Sequence, residues 1–392
     1  MTENIPIEPA LEQTRGFRWG PVPPVRAVDA AAFAEGVEPE PPEPDLGGIA
    51  GFKGVFKGTG LNIIFRPQNF ALSPTPLPNP AKGNDDNILE INLTEETLSF
   101  SAALGSIPNR GMVQGDVFLN GIPYLQTIND VSDPASPVGI HFEPGVWLSV
   151  PPTSAPVEGA TLVRMASIPH GTTITAQGTS FEVPGGPRID PVDITPFIIG
   201  SVPPQLIRFP SQDVTDAETF RLPQDLTSFI AAGTITQDIL DNPNLILKTR
   251  ADAQNITATT VILITTNPDA PLFGGGTDNI AFLLGDPTST APNADATQMT
   301  AIFWVETVTE QITVPPGGPY QPTIVQGSAS AGSPVPSFAV TSATEITEER
   351  QIEVTYPQIQ YTQTVFLNFN GLTWPHVSVA TLVPNDPVPV TL

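Results

Sequence analysis

Three histidines and no cysteine make up the chain's stock of neutral-pH chemistry. The missing thiols exclude disulfides, cysteine nucleophiles and thiolate-held metals. Proton transfer near pH 7 and metal ligation by nitrogen therefore fall to His141, His170 and His376. His141 lies in "GIHFEPGVWLSV", His170 in "SIPHGTTITAQG" and His376 in "LNFNGLTWPHVSVATLVPN". A histidine in a strand is most often a satisfied polar group. That bland reading is strongest for His170, in its Pro-His-Gly turn. His141 and His376 stand beside aromatics, Phe142 with Trp147 and Trp374 respectively. Zinc wants three or four clustered ligands, which the spacing does not supply. Haem iron needs one proximal imidazole and an apolar slot, which suits these surroundings better.

Other chemistries find less support. "FGGGTDN" is not followed by a helix, as a phosphate-binding loop would be. Glu143 has no second carboxylate at a glycosidase spacing. No Gly-x-Ser-x-Gly elbow is present. The acidic runs "DNILEINLTEE" and "EPEPPEPD" read as solvated surface.

The elements that must position these groups are strands. Charged residues make up 14% of the 392 residues and hydrophobic ones 40%, so Thr, Ser, Asn, Gln and Pro form much of the surface. The net charge of -25 disfavours nucleic acid and anionic membranes as partners. No apolar run approaches the roughly 18 residues of a membrane span, and the first residues lack the apolar core of a signal peptide. The expectation is a soluble cytoplasmic protein, of unstated oligomeric state.

Residues 1–48, rich in Pro and Glu, read as an extended arm, and 49–392 as one domain. From Gly51 onward, period-two patterns bounded by Pro and Gly predict about ten strands in an all-β, antiparallel barrel. "MVQGDVFLNGIPYLQTIND" predicts a hairpin at Asn120-Gly121. "NLILKTRADAQNITATTVILITT" is read as strand, with helices at "TDAETFRLPQDLTSFIAAG" and "TQDILDNP". Insertions fall at about 183–240, 266–297 and 316–340. An inward Arg164 would be a candidate polar group, although a snorkelling surface arginine is the commoner case.

Four segments, in order, resemble the nitrobindin family of haem-binding β-barrels. "GVFKGTG" at Gly54–Gly60 is similar to that family's Gly-x-Trp-x-Gly-x-Gly strand, with Phe56 for Trp. His141, Glu143, Gly145 and Trp147 follow its His-x-Glu-x-Gly strand, and "LVRMASIPHGTTITAQG" the next two, with Gly171 and Gly178. Ile359, Tyr361 and "HVSVATL" match its C-terminal end. The chain is more than twice the usual family length, and "NIIFRP" replaces the family's Tyr-Pro-Thr-Ile. The resemblance implies haem b held by His376 as axial ligand, with His141 on the distal face as a catalytic group. It implies cofactor contacts at Phe366, Trp374, Ile140 and Gly58. The implied small molecules are peroxide, peroxynitrite or nitric oxide, with peroxidase or isomerase chemistry left open. The alternatives are a lipocalin-like carrier of an apolar molecule without haem, or a structural β-protein.

Overall fold

The computed structural model describes residues 44–268, 274–286, 292–328 and 331–392. Most of the predicted arm lies outside them. Ten long strands dominate: β1 Gly54–Pro67, β2 Asn87–Phe100, β3 Val117–Asp130, β4 Val138–Val150, β5 Thr161–Ile168, β6 Thr172–Pro184, β7 Asn255–Thr265, β8 Asp295–Val314, β9 Arg350–Phe369 and β10 Leu372–Pro384. Each pairs antiparallel with its neighbours in sequence, and β10 pairs with β1. The result is a closed up-and-down barrel, the all-β architecture that the alternation predicts. Closure leaves no long open edge.

Strand alternation sorts the residues onto two faces. Inward side chains from every strand form one cluster: Phe56, Phe100, Tyr124, Trp147, Ala176, Ile264, Met299, Phe303, Tyr361 and Leu382 are among its members. Outward residues such as Leu61 of β1, Val379 of β10 and Trp304 of β8 belong to a second core beneath the 185–252 insertion. Leu46, Ile49 and Phe52 join the inner cluster from the N-terminal side. Asn120 Nδ2 bonds the Asp45 carbonyl, which fixes this plug at the end where β4 turns into β5. Phe52 stacks on Phe100 at 4.7 Å and is 1% exposed. Full burial of such a ring stabilises by about 1.5–3 kcal/mol.

Two expectations are corrected. Asn120 and Gly121 lie inside the continuous strand β3. Gly121 is there because a Cβ would meet Leu148 Cδ2 at 2.7 Å and the Trp147 carbonyl at 3.0 Å; close passage, not a turn, requires it. The "NLILKTRAD" stretch is a helix, α1, spanning Asn244–Asp252, followed by β7. Its apolar Leu247 packs into the outer core, so tertiary burial overrides the strand-like composition. The expected helices are short, at Thr227–Ala232 and Gln237–Asp241.

The insertions build wall at the end opposite the plug. Gly276–Asn279 pairs with β6 at Thr172–Thr175, where β7 has already left. Phe197–Ile198 pairs with β10 at Leu372–Thr373, beyond the last β1 partner at Val377. Arg221–Leu222 runs parallel to β2 at Leu89–Glu90, beyond the last β3 partner at Thr94. Tilted barrel strands end in a stagger, and each patch fills a notch in it. No helix among the described residues is long and apolar enough to cross a membrane.

Candidate functional site in the barrel lumen

The barrel's two ends differ. Towards the plug the lumen is filled with aromatics: Phe52, Phe56, Phe100, Trp147 and Phe303 pack at tilted and edge-on angles. Above them lies a polar layer centred on an ion pair. Arg164 Nη2 donates to Glu143 Oε1 at 2.6 Å, and the two side chains are 1% and 0% exposed. Arg164 Nε donates to Tyr124 Oη at 2.8 Å, and Nη1 reaches across to Gln363 Oε1 on β9 at 2.7 Å. The Tyr124 hydroxyl also donates to Glu143. The guanidinium carbon sits 5.4–5.6 Å from the centroids of Tyr124, Trp147 and Phe303. Arg164 is therefore a cationic lid on the aromatic floor. Burial opposes both charges of the pair. Mutual attraction outweighs it, holding Glu143 down at about 2 and keeping Arg164 protonated.

A second buried carboxylate stands on β2. Glu96 accepts from Tyr361 Oη at 2.6 Å, Thr94 Oγ1 at 2.9 Å and Gln126 Nε2 at 3.3 Å. Burial raises its pKa despite these donors. The same burial, with the Glu96 charge, pushes Tyr361 up and keeps it a phenol.

All three histidines meet this region. His376 points inward from β10, paired with Val365 of β9. Its Nε2 lies 2.8 Å from Asn62 Nδ2, so the amide donates and Nδ1 carries the ring proton. The same amide group bonds Ser378 Oγ at 2.8 Å. Burial, then repulsion from His141 and His170, lowers His376 to about 3. It is a neutral imidazole at pH 7, half-buried and facing the lumen. His141 Nε2 lies 3.2 Å from Glu143 Oε2, with its side chain 16% exposed. His170, on the β5–β6 turn, stacks on His141 with centroids 5.7 Å apart. Burial and the His141 charge lower its pKa. Strands β4 and β10 are four apart one way round the barrel and six the other, so His141 and His376 face from nearly opposite walls.

Between them the lumen has two sides. Asn62, Thr94, Glu96, Gln126, His141, Glu143 and Arg164 form a hydrogen-bonding arc on β1–β5. Ile174, Ile264, Met299 and Val365 form an apolar arc on β6–β9. We call this part of the lumen the upper chamber: one of its sides offers hydrogen bonds and the other apolar contacts.

The other sequence-derived residues lie elsewhere. Phe366 faces outward, edge-on to Phe197 of the insertion at 5.7 Å. Trp374 is 0% exposed, stacked on Phe369 at 4.6 Å and packed on Phe65 and Phe209. Phe366 thus lies outside the chamber, whereas Trp374 shares the face of His376 on β10 and packs nearer the β9–β10 turn. Ile140 sits in a bulge of β4, where Ile128 pairs with His141 and Asn129 with Gly139; its backbone holds His170. Gly58 belongs to the wall, because a Cβ there would stand 1.9 Å from the Thr381 carbonyl oxygen. Sequence reasoning missed Asn62, Glu96, Gln363 and the pairing of Glu143 with Arg164. The signal for the last was present in the alternation of His141, Glu143, Gly145 and Trp147 on one face of β4. No group of three or more metal-ligating side chains occurs among the described residues. No family model, no curated protein and no solved structure matches the chain.

Proposed function

We propose that the chain is a small-molecule-binding barrel whose ligand occupies the upper chamber, with haem b as that ligand and His376 as its axial residue. His376 itself carries the reading: a half-buried imidazole facing the lumen and kept neutral by burial. A neutral ring offers a lone pair to iron. Asn62 now engages Nε2, but it also bonds Ser378, so releasing the nitrogen does not strand the amide. One axial imidazole suffices for haem. When bound, haem would supply an iron able to take nitric oxide or a peroxide. The chain's own residues would hold the macrocycle against Ile174, Ile264, Met299 and Val365. Glu143 would fix the tautomer and tilt of His141 across the chamber.

A haem-free carrier is the second reading. The hydrogen-bonding arc and the position of Phe366 outside the chamber favour it. Titration with haemin separates the two. Saturable uptake with a Soret shift, lost in His376→Ala, is the expected result. No uptake removes haem and leaves the carrier; an unchanged shift in His376→Ala removes His376 as the axial residue.

A further inference from the structure

The outside of the barrel wall carries a cavity of its own, of about 390 Å³, within the range of small-molecule sites. Its floor is Leu119 of β3, Leu148 and Val150 of β4 and Val163 of β5, all half-buried. These alternate along their strands with Trp147, Leu162 and Arg164, which face the lumen, so they face outward. Two hairpins make the sides. Leu104–Asn109 pairs with the start of β3, and the turn between them brings Gly111 and Gln114 to the cavity. Thr153–Ser154 pairs with Val157–Glu158 between β4 and β5. Gln114 Oε1 ties the two hairpins together. It accepts from Ser154 N at 2.9 Å, Ala155 N at 3.2 Å and Ser154 Oγ at 3.3 Å. The walls are thus braced against each other by the chain itself.

Charge selects what the cavity would hold. Glu158 is the one charged residue that borders it. Glu158 is half-buried, and its Oε1 has no hydrogen-bond partner. It makes no ion pair within 4 Å among the described residues, and Arg110, on the neighbouring turn, is already paired with Asp116 at 3.1 Å. A hydrocarbon would cover the floor and leave the carboxylate unmet. An anion would meet Glu158 on a chain whose net charge is -25. A protonated amine meets it with a charge-assisted hydrogen bond, and its apolar body covers the wall residues. Exposed Met112, Val113 and Val157 lie in the same two hairpins and add apolar surface there.

We propose that this outer cavity binds a compact primary amine, with its ammonium on Glu158 and its aliphatic or aromatic body on the outward wall of β3–β5. The site lies outside the lumen, so its test stands or falls independently of the haemin titration. Calorimetry on the full chain at pH 7 compares cyclohexylmethylamine, cyclohexylmethanol and cyclohexanecarboxylate. Physiological salt screens general attraction to the acidic surface. The amine binds about tenfold more tightly than the alcohol, a difference of about 1.4 kcal/mol, and the carboxylate binds more weakly than either. Glu158→Gln brings the amine to the level of the alcohol. Glu95→Gln, which removes an exposed carboxylate elsewhere, leaves the amine unchanged. Val150→Trp fills the floor and abolishes binding of both. Methyl-labelled methionine NMR on the parent chain locates the guest without relying on the fold of any variant: the Met112 methyl shifts, and that of Met299, inside the lumen, does not. Equal binding of amine and alcohol overturns the proposal, as does an unchanged amine affinity in Glu158→Gln. So does no amine binding at millimolar concentration, or a shift at Met299 with none at Met112.

Discussion

Replacing Arg221 with lysine should loosen the insertion that covers the outer wall. Arg221 is 0% exposed and makes no ion pair closer than 4 Å among the described residues. Its five N–H groups all go to backbone carbonyls: Pro223 at 3.2 Å, Ser211 at 2.9 Å, Asp213 at 2.6 Å, Asp216 at 2.9 Å and Gln224 at 2.6 Å. It thus organises a loop with little secondary structure of its own. Lysine has three donors on one atom, so at least two carbonyls lose their partner. At roughly 1.5–3 kcal/mol per hydrogen bond to a charged group, Arg221→Lys should cost about 3–6 kcal/mol. That is a large share of the roughly 5–15 kcal/mol stability of a typical domain. Urea denaturation followed by fluorescence measures the loss. Hydrogen exchange locates it, with faster exchange expected between Ser211 and Gln224 and little change in β4–β6. A loss below about 1 kcal/mol with unchanged exchange would refute the idea that this cage holds the segment.

Two further substitutions contrast the barrel wall with the outlying strand Leu104–Asn109. Gly58→Ala should destabilise by more than about 3 kcal/mol, because its Cβ would lie 1.9 Å from backbone oxygen. Gly105→Ala, with nothing within 4 Å, should be near neutral; thermal melts of the pair check the contrast. Glu306 is buried on the outer face, with Oε1 unpartnered and its pKa raised by burial to about 8. Its folded pKa lies above its unfolded value, so the native state holds the proton more tightly and stability falls as pH rises from about 4.5 to 8. Glu306→Gln keeps an acceptor for Gln358 and should remove that fall, gaining about 2–4 kcal/mol over the parent at pH 9 in urea titrations. Parallel pH profiles for the two proteins would contradict it.

The alternation made the strands legible, because a barrel needs one apolar face on every strand. It could not show which strand neighbours which, and hence could not bring Asn62 to His376 or Arg164 to Gln363, pairs 314 and 199 residues apart. The histidines were legible by rarity. Their surroundings were not: Phe366, on the paired strand, points away from the chamber. The groups that line it come from strands spread round the barrel, β1–β5 on one side and β6–β9 on the other. Arg164 looked like a surface residue because an isolated inward arginine is expensive. Glu143 and Tyr124, which make it affordable, come from two other strands.

Among the described residues, the plug of Leu46, Ile49 and Phe52 fills one end of the barrel. A guest of the upper chamber would therefore come and go at the other end. Residence time is then governed at the rim formed by the β5–β6 turn, the β9–β10 turn and the patch strands, far from the floor that grips the cargo. Affinity and exchange rate become separable: changes at the rim alter how fast a guest comes and goes, and changes at the floor alter which guest is kept.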